Sequence, residues 1–195
     1  SIAVVSVIMI YAEMNKVLRH SLQSSNEDLE HLSSHDQLTR LPNRRFYEER
    51  ITLALKRAAE QQGMAGLLIM DLNDFKQIND THGHGVGDKL LVTVAERIRR
   101  NLRETDLVAR LGGDEFVAIL EDVTSSEEVT RIAHKLSDAI EQPLHVRQQP
   151  LTFSASIGVA IFPLDGRQQL ELEEKADKAM YFAKKRGIPV ALSSL

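Results

Sequence analysis

Three acidic residues stand where a folded chain would gather them. Asp71 ends the wholly apolar run Leu67-Leu68-Ile69-Met70, and Asp114 and Glu115 leave a Gly112-Gly113 turn. The apolar run reads as a buried central strand. Leu107–Arg110 and Phe116–Leu120, on either side of the glycines, read as a hairpin. On adjacent strands, the carboxylates of Asp71 and Asp114 make an oxygen-ligand site suited to Mg²⁺ or Mn²⁺. The backbone carbonyl of Leu72 would complete the protein's share, since Mg²⁺ takes its other ligands from water and substrate phosphates. Gly112 and Gly113 agree with this, because a turn without side chains lets a phosphate or a base approach the backbone. On these residues alone, a plain Gly-Gly hairpin with solvated acids at its tip is the alternative.

Neighbouring residues point toward a nucleotide. Lys76 lies about one helical turn beyond Asp71, a point charge within reach of phosphate oxygens. Asn79, His84 and Asp88 follow on the next helix and a glycine-rich stretch. An aspartate accepts two hydrogen bonds from the N1–H and 2-amino group of guanine, a donor pair that adenine lacks. Leaving such a carboxylate unpaired costs on the order of several kcal/mol, so Asn79 with Asp88 would select GTP over ATP. His84 by itself reads as a turn residue bonded to backbone. No Walker string occurs, and Gly83-His84-Gly85-Val86-Gly87 does not match GxGxxG, so the usual phosphate loops are absent.

Positioning such a site takes one ordinary core, and 195 residues with 43% hydrophobic side chains can close one. The 24 basic and 28 acidic residues leave a net charge of −4, which argues against a nucleic-acid binder. With no cysteine, disulfides, thiolate metal sites and cysteine nucleophiles are excluded.

The uncharged stretch Ile2–Tyr11 is too short to cross a bilayer alone and reads as the end of a transmembrane helix, residues 1–12. Packing of that helix on a partner is the other reading. Leu18, Leu22, Leu29 and Leu32 then follow at spacings of 4, 7 and 3, with Asn15 at an a position. This is a short heptad register, so residues 13–34 form a helical stalk that is either a coiled coil or a surface helix. The remaining residues, 35–195, form the globular domain.

Within that domain a helix runs from Pro42-Asn43 to about Gln62, and Asp74–Thr81 is a second helix. Gly83–Gly87 reads as a turn, and Asp88 begins a long amphipathic helix through Leu90, Leu91, Val94, Ile98 and Leu102. Thr124 with Glu127 suggests a capping box for a helix to Ile140. Thr152–Ile161 is a strand, Leu170–Lys185 a helix, and Pro189–Leu192 an edge strand. The order β-α-α-β-β-α-β-α gives an α+β fold of ferredoxin-like, split-βαβ type, a central antiparallel sheet flanked by helices.

Arg110-Leu111-Gly112-Gly113-Asp114-Glu115-Phe116 resembles the defining motif of the GGDEF family, the diguanylate cyclases. Asp36-Gln37-Leu38-Thr39-Arg40-Leu41-Pro42-Asn43-Arg44-Arg45 is similar to that family's opening motif, with Arg40 where glycine is usual. Asp71-Leu72-Asn73-Asp74-Phe75-Lys76-Gln77-Ile78-Asn79-Asp80 and Gly83–Asp88 follow at the family's spacing. Ser156–Ala160 and Ala176–Lys184 complete the resemblance, which covers about residues 33–188.

The resemblance implies a palm-type sheet and a reaction that joins two GTP into cyclic di-GMP, releasing two pyrophosphates. Asp71, the Leu72 carbonyl and Asp114 would hold two Mg²⁺ or Mn²⁺ ions per half-site. Asn79, His84 and Asp88 would hold guanine; Phe75, Lys184, Gly112 and Gly113 would complete the substrate site. Lys76 would stabilise phosphate charge, and Asp114 or Glu115 would assist loss of the 3′-hydroxyl proton. Each protomer would bind one GTP, so a homodimer is expected, arranged by the stalk.

Arg103-Glu104-Thr105-Asp106 matches the family's RxxD inhibitory site, so cyclic di-GMP would be an inhibitor as well as the product. One departure stands out: Ile188 occupies the place of an arginine, four residues after Lys184, and Arg186 is the nearest substitute. The expected setting is the cytoplasmic domain of a bacterial inner-membrane protein. The rival reading is a catalytically weak module that binds GTP or cyclic di-GMP to regulate an appended phosphodiesterase. A dimerisation domain without nucleotide chemistry would explain none of the site residues.

Overall fold

A computed structural model describes residues 13–16 and 34–193. The chain divides into two units, residues 1–35 and 36–195. Residues 13–16 are helical. The expected membrane segment at 1–12 and the leucine seam at Leu18–Leu32 lie outside the described residues. Among the described residues, no helix is long and apolar enough to cross a membrane.

The second unit is built on a five-stranded sheet in the order β2-β3-β1-β6-β7. Its strands are β1 (Met64–Leu72), β2 (Leu107–Gly112), β3 (Glu115–Val123), β6 (Ala155–Phe162) and β7 (Val190–Leu192). Helices α1 (Arg44–Glu60), α2 (Phe75–His82), α3 (His84–Asn101), α4 (Ser126–Ile140) and α5 (Gln169–Arg186) surround it. A hairpin of β4 (Leu144–Val146) and β5 (Gln149–Leu151) stands apart.

Side chains alternate across the pleat of β1. Leu68, Met70 and Leu72 enter a core shared with α3 and α4, including Leu90, Val94, Ile98, Leu136 and Ile140. Ala65, Leu67 and Ile69 enter the other core, with Tyr47, Ile51 and Ala54 of α1 and Leu172, Ala176 and Met180 of α5. Both faces of the sheet are covered, which is why β1 reads as continuous apolar sequence rather than alternation. Tyr47 Oη donates to Glu173 Oε1 at 2.8 Å and ties α1 to α5; burial, then Glu173, push the phenol above its usual range.

The α+β order and the helical flanks agree with the sequence reading, with four corrections. The sheet is mixed: β1, β2, β3 and β6 pair antiparallel, but β7 runs parallel to β6. A whole helix, α5, separates β6 from β7, and that length of crossover permits a parallel partner. The expected turn at Gly83–Gly87 is the start of α3, and only Gly83, at φ +86°, has the turn conformation. Low helix propensity made Gly85 and Gly87 read as loop, but Gly87 is buried and packed.

The cap of α4 lies one residue later than expected. Ser125 Oγ accepts from Glu128 N at 3.2 Å, and the Glu128 carboxylate accepts from Thr124. The β4–β5 hairpin had no signal, because Arg147 and Gln148 take the positive φ values that glycine or asparagine usually supplies.

β6 lies against α5 so closely that Gly158 admits no side chain. A Cβ there would lie 1.9 Å from the Ala176 carbonyl oxygen and 2.3 Å from Met180 N, both backbone atoms. Gly158→Ala should therefore destabilise the domain by about 3 kcal/mol or prevent folding. Urea denaturation checks this, and a loss below about 1 kcal/mol would contradict the packing described.

Candidate active site

The carboxylates meet at one end of the central strands. In the β1–β3 pairing Asp71 lies opposite Glu115, and Leu72 N donates to the Asp114 carbonyl at 3.4 Å. Gly112 pairs with Glu115 and leaves Gly113 and Asp114 as the loop. Gly112 and Gly113 have φ of +147° and +52°, values that residues with a Cβ adopt only with strain.

Next to Leu72, Asn73 clasps β6. Its N donates to Ser154 O at 2.9 Å, its Nδ2 to Ser154 Oγ at 2.9 Å, and its Oδ1 accepts from Ser156 Oγ at 3.0 Å. These bonds hold the corner from which α2 departs.

The electrostatics follow from crowding of like charge. Burial pushes the Asp114 carboxyl above its usual range, and the Asp71 charge adds to the effect; Lys184 and Arg110 oppose it. Glu115 is also raised, first by burial and then by the charges of Asp71, Asp177 and Asp114, against the pull of Arg44. Arg44 Nη2 stands 4.0 Å from Glu115 Oε2. Lys184 of α5 forms an ion pair with Asp71 Oδ1.

Among the described residues, no three His, Cys, Asp or Glu side chains converge as a metal cluster. Asp71 and Asp114 nonetheless suit a hard divalent ion that completes its shell from carbonyl, water and phosphate. The Asp71 charge that raises Asp114 is a repulsion that a cation between them would offset.

Around α2 and α3 the expected nucleotide residues are arranged as follows. Lys76, His84 and Asp88 are exposed, and Phe75 is half-buried. Asn79 Oδ1 is buried without a hydrogen-bond partner among the described residues. It rests on Gly87, where a Cβ would lie 1.9 Å from it. An orphaned acceptor is costly unless a donor arrives, and Gly87 brings it next to Asp88 in the chain.

Lys184 is 43% exposed, so the end of α5 is open to ligand as well as to Asp71. Ile188 is exposed but offers no cation where an arginine is usual; its backbone N donates to Ala183 O at 3.1 Å and closes the helix after Gly187. The Arg186 guanidinium lies 5.3 Å above the Phe182 ring.

The Arg103/Asp106 pair lies at the opposite end of the sheet. Asp106 Oδ2 accepts from Arg103 N at 3.0 Å, and Oδ1 from Glu121 N at 3.3 Å; burial raises its carboxyl. From Glu115 to Glu121, six residues of strand span about 20 Å. The product site implied by the sequence is thus remote from the carboxylate pair.

The structure also shows a residue whose function the sequence reading passed over. Arg110 donates from Nε and Nη2 to the Gly113 carbonyl at 3.0 and 2.7 Å. Its Nη1 reaches both Asp36 oxygens, at 2.9 and 3.1 Å. Arg110 therefore pins the glycine turn to the loop at 36–41. The signal was its place two residues before the glycines, but its partner Asp36 is 74 residues away in the chain.

The fold and site are thus those of an α+β domain whose sheet is covered on both faces and carries paired carboxylates beside a glycine turn. Residues 33–188 match the family model described as the diguanylate cyclase, GGDEF domain, and the chain belongs to that family. It is 41% identical to the bifunctional diguanylate cyclase/cyclic di-GMP phosphodiesterase MucR of Pseudomonas aeruginosa, covering 96% of this chain and 28% of the relative. It is 42% identical to the diguanylate cyclase TpbB of P. aeruginosa, covering 85% of this chain and 38% of the relative. The chain thus spans well under half the length of these relatives.

Among solved structures, the GGDEF domain of TpbB from P. aeruginosa matches with a TM-score of 0.79 at 41% identity, covering 82% of this chain and 94% of that one. The coiled coil and GGDEF domain of DgcB from Caulobacter crescentus, in complex with c-di-GMP, matches with a TM-score of 0.86 at 25% identity, covering 95% and 98%.

The clasp carries a pH signature. Burial of Asp36 disfavours its charge, but hydrogen bonds from Thr39 and Arg110 outweigh this and hold the carboxyl below its ordinary 3.8. A depressed folded value adds stability above pH 3.8 that is lost as the pH falls through the folded value. Asp36→Asn should cost about 2 kcal/mol at pH 7, and the gap to the parent protein should narrow below pH 4. Chemical denaturation at pH 7 and near pH 3 checks this; an unchanged gap would contradict it.

Proposed function

We propose that this chain is an active diguanylate cyclase domain that joins two GTP molecules into cyclic di-GMP and releases two pyrophosphates. The observation that carries the reading is the convergence of Asp71 and Asp114 at adjacent strand ends beside the Gly112-Gly113 turn. Each 3′-hydroxyl attacks the α-phosphorus of the other GTP. A 3′–5′ phosphodiester bond forms, the bond to pyrophosphate breaks, and the hydroxyl proton leaves to a base.

Asp71, the Leu72 carbonyl and Asp114 are the groups that would hold Mg²⁺ or Mn²⁺, two ions per half-site. When bound, such ions neutralise the triphosphate and lower the cost of forming the alkoxide. Asp114 or Glu115 accepts the hydroxyl proton, and their raised pKa values suit a proton acceptor. Lys76 and Lys184 balance phosphate charge as point cations. Asn79, His84 and Asp88 hold the guanine edge, the buried Asn79 acceptor taking a purine donor. Phe75 packs nearby, and Gly112 with Gly113 let the triphosphate approach the backbone.

One chain offers one half-site, so the reaction needs two copies facing across a twofold axis. A stalk that sets their angle would set the rate, because orientation supplies much of the acceleration. An N-terminal segment outside the catalytic domain would place this domain on the cytoplasmic face of a bacterial inner membrane. Arg103 and Asp106 form the product-inhibition site.

A second reading, a weak module that binds GTP or cyclic di-GMP to regulate an appended phosphodiesterase, is favoured by Ile188 in place of the usual arginine. A relative named cyclic di-GMP phosphodiesterase NbdA, 35% identical, points the same way. The intact carboxylate pair favours catalysis.

Incubation with GTP and Mg²⁺ followed by chromatography should yield cyclic di-GMP and pyrophosphate, and ATP should yield no cyclic dinucleotide. Asp71→Ala and Asp114→Ala should each lower turnover by about a thousandfold or more, in the range of lost transition-state charge stabilisation. Parent protein that binds GTP without turnover would favour the regulatory module.

Gly87→Ala should displace Asn79 and raise KM for GTP roughly tenfold with little change in kcat, as lost ground-state binding does. Equal effects on KM and kcat would argue against that position for the guanine.

A further inference from the structure

The Arg103 side chain already has an anionic partner. Its Nη2 lies 2.7 Å from Glu128 Oε1, with the glutamate side chain 10% and the arginine 56% exposed. The second glutamate oxygen accepts from Thr124 N at 2.8 Å and Thr124 Oγ1 at 2.7 Å. Glu128 also stands in the first turn of α4, where the helix dipole favours negative charge. These donors, Thr124 N first, then Thr124 Oγ1 and Arg103, hold the carboxyl down at about 2, so it stays ionised under all working conditions.

A cyclic dinucleotide carries two phosphate charges. One that approaches Arg103 must either displace Glu128 Oε1 or settle beside it as a second anion on the same guanidinium. Displacement gives up a charge-assisted hydrogen bond, and sharing adds like-charge repulsion. Either route weakens binding.

We propose that Glu128 is a built-in competitor for Arg103 that sets how much product is needed for feedback inhibition. This rests on the reading of Arg103 and Asp106 as the cyclic di-GMP site. The competitor is remote from the catalytic end, at a distance of about 20 Å along β3, so it tunes inhibition without entering the reaction.

Glu128→Gln separates the two functions of the side chain. Its single amide oxygen can keep the Thr124 bonds, which turns the amide nitrogen, a donor, toward the arginine and releases it. Glu128→Ala removes both functions and serves as the second variant.

The test is cyclic di-GMP affinity by calorimetry, with inhibition of pyrophosphate release measured at rising cyclic di-GMP. It uses the full chain, Glu128→Gln, Glu128→Ala and Arg103→Ala, each checked for folding by circular dichroism. The glutamate variants should bind product roughly three- to tenfold more tightly and be inhibited at correspondingly lower concentration, with initial rates in the absence of product unchanged. Arg103→Ala should abolish both binding and inhibition.

Unchanged or weaker product binding in both folded glutamate variants, with Arg103→Ala still abolishing it, overturns the competitor and leaves the product site standing. Product binding that survives Arg103→Ala overturns the site itself and the competitor with it.

Discussion

Covering β1 on both faces while flanking it with β3 and β6 leaves its polar end only one place to emerge. Six consecutive buried residues, Ala65 to Met70, hold the strand rigidly, and Asp71 is delivered at its rim opposite Glu115. The neighbouring hairpin turns at the same rim and brings Asp114 beside it. Two carboxylates so placed repel each other, and the protein offsets only part of that with Lys184 and Arg110. What remains unbalanced is seen in the raised Asp114 and Glu115 carboxyls.

The rest of the architecture keeps that rim from relaxing. Asn73 bonds to Ser154 and Ser156, so the chain cannot peel from β6 as it leaves β1. Arg110 spends its guanidinium on the Gly113 carbonyl and on Asp36, fixing a glycine turn that would otherwise be the softest part of the hairpin. At the other end of the same strands, Arg50 and Arg57 of α1 converge on Glu121, whose backbone N–H serves Asp106. One sheet thus holds two polar ends, the carboxylates of Asp71 and Asp114 at one and the cluster of Arg103, Asp106 and Glu121 at the other.

Misreadings of the sequence came where local preference was the only guide. Gly85 and Gly87 read as loop on propensity, yet the absence of a side chain at Gly87 serves the close approach of Asn79. Arg147 and Gln148 make a hairpin turn without glycine, which local preference alone disfavours. Thr124 and Ser125 are both sound caps by type; the choice fell to Ser125 because Glu128 is drawn toward Thr124 and Arg103. At Gly87 and Glu128 a partner outside the local turn, Asn79 and Arg103, outweighed the local signal.

Hydrophobic period and turn chemistry sufficed to read the element order, the doubly buried strand and the acids at its end, because these depend on residues close in the chain. The acids at 71 and 114, the glycines at 112 and 113 and the polar residues at 79 and 88 were legible as types at spacings. Tertiary structure alone decided that Lys184 meets Asp71 across 113 residues, that Arg110 spans Asp36 and Gly113, and that Glu128 holds Arg103. Such pairings arise when strands and helices from separate stretches pack, and a charge carries no mark of its partner until that packing brings the two together.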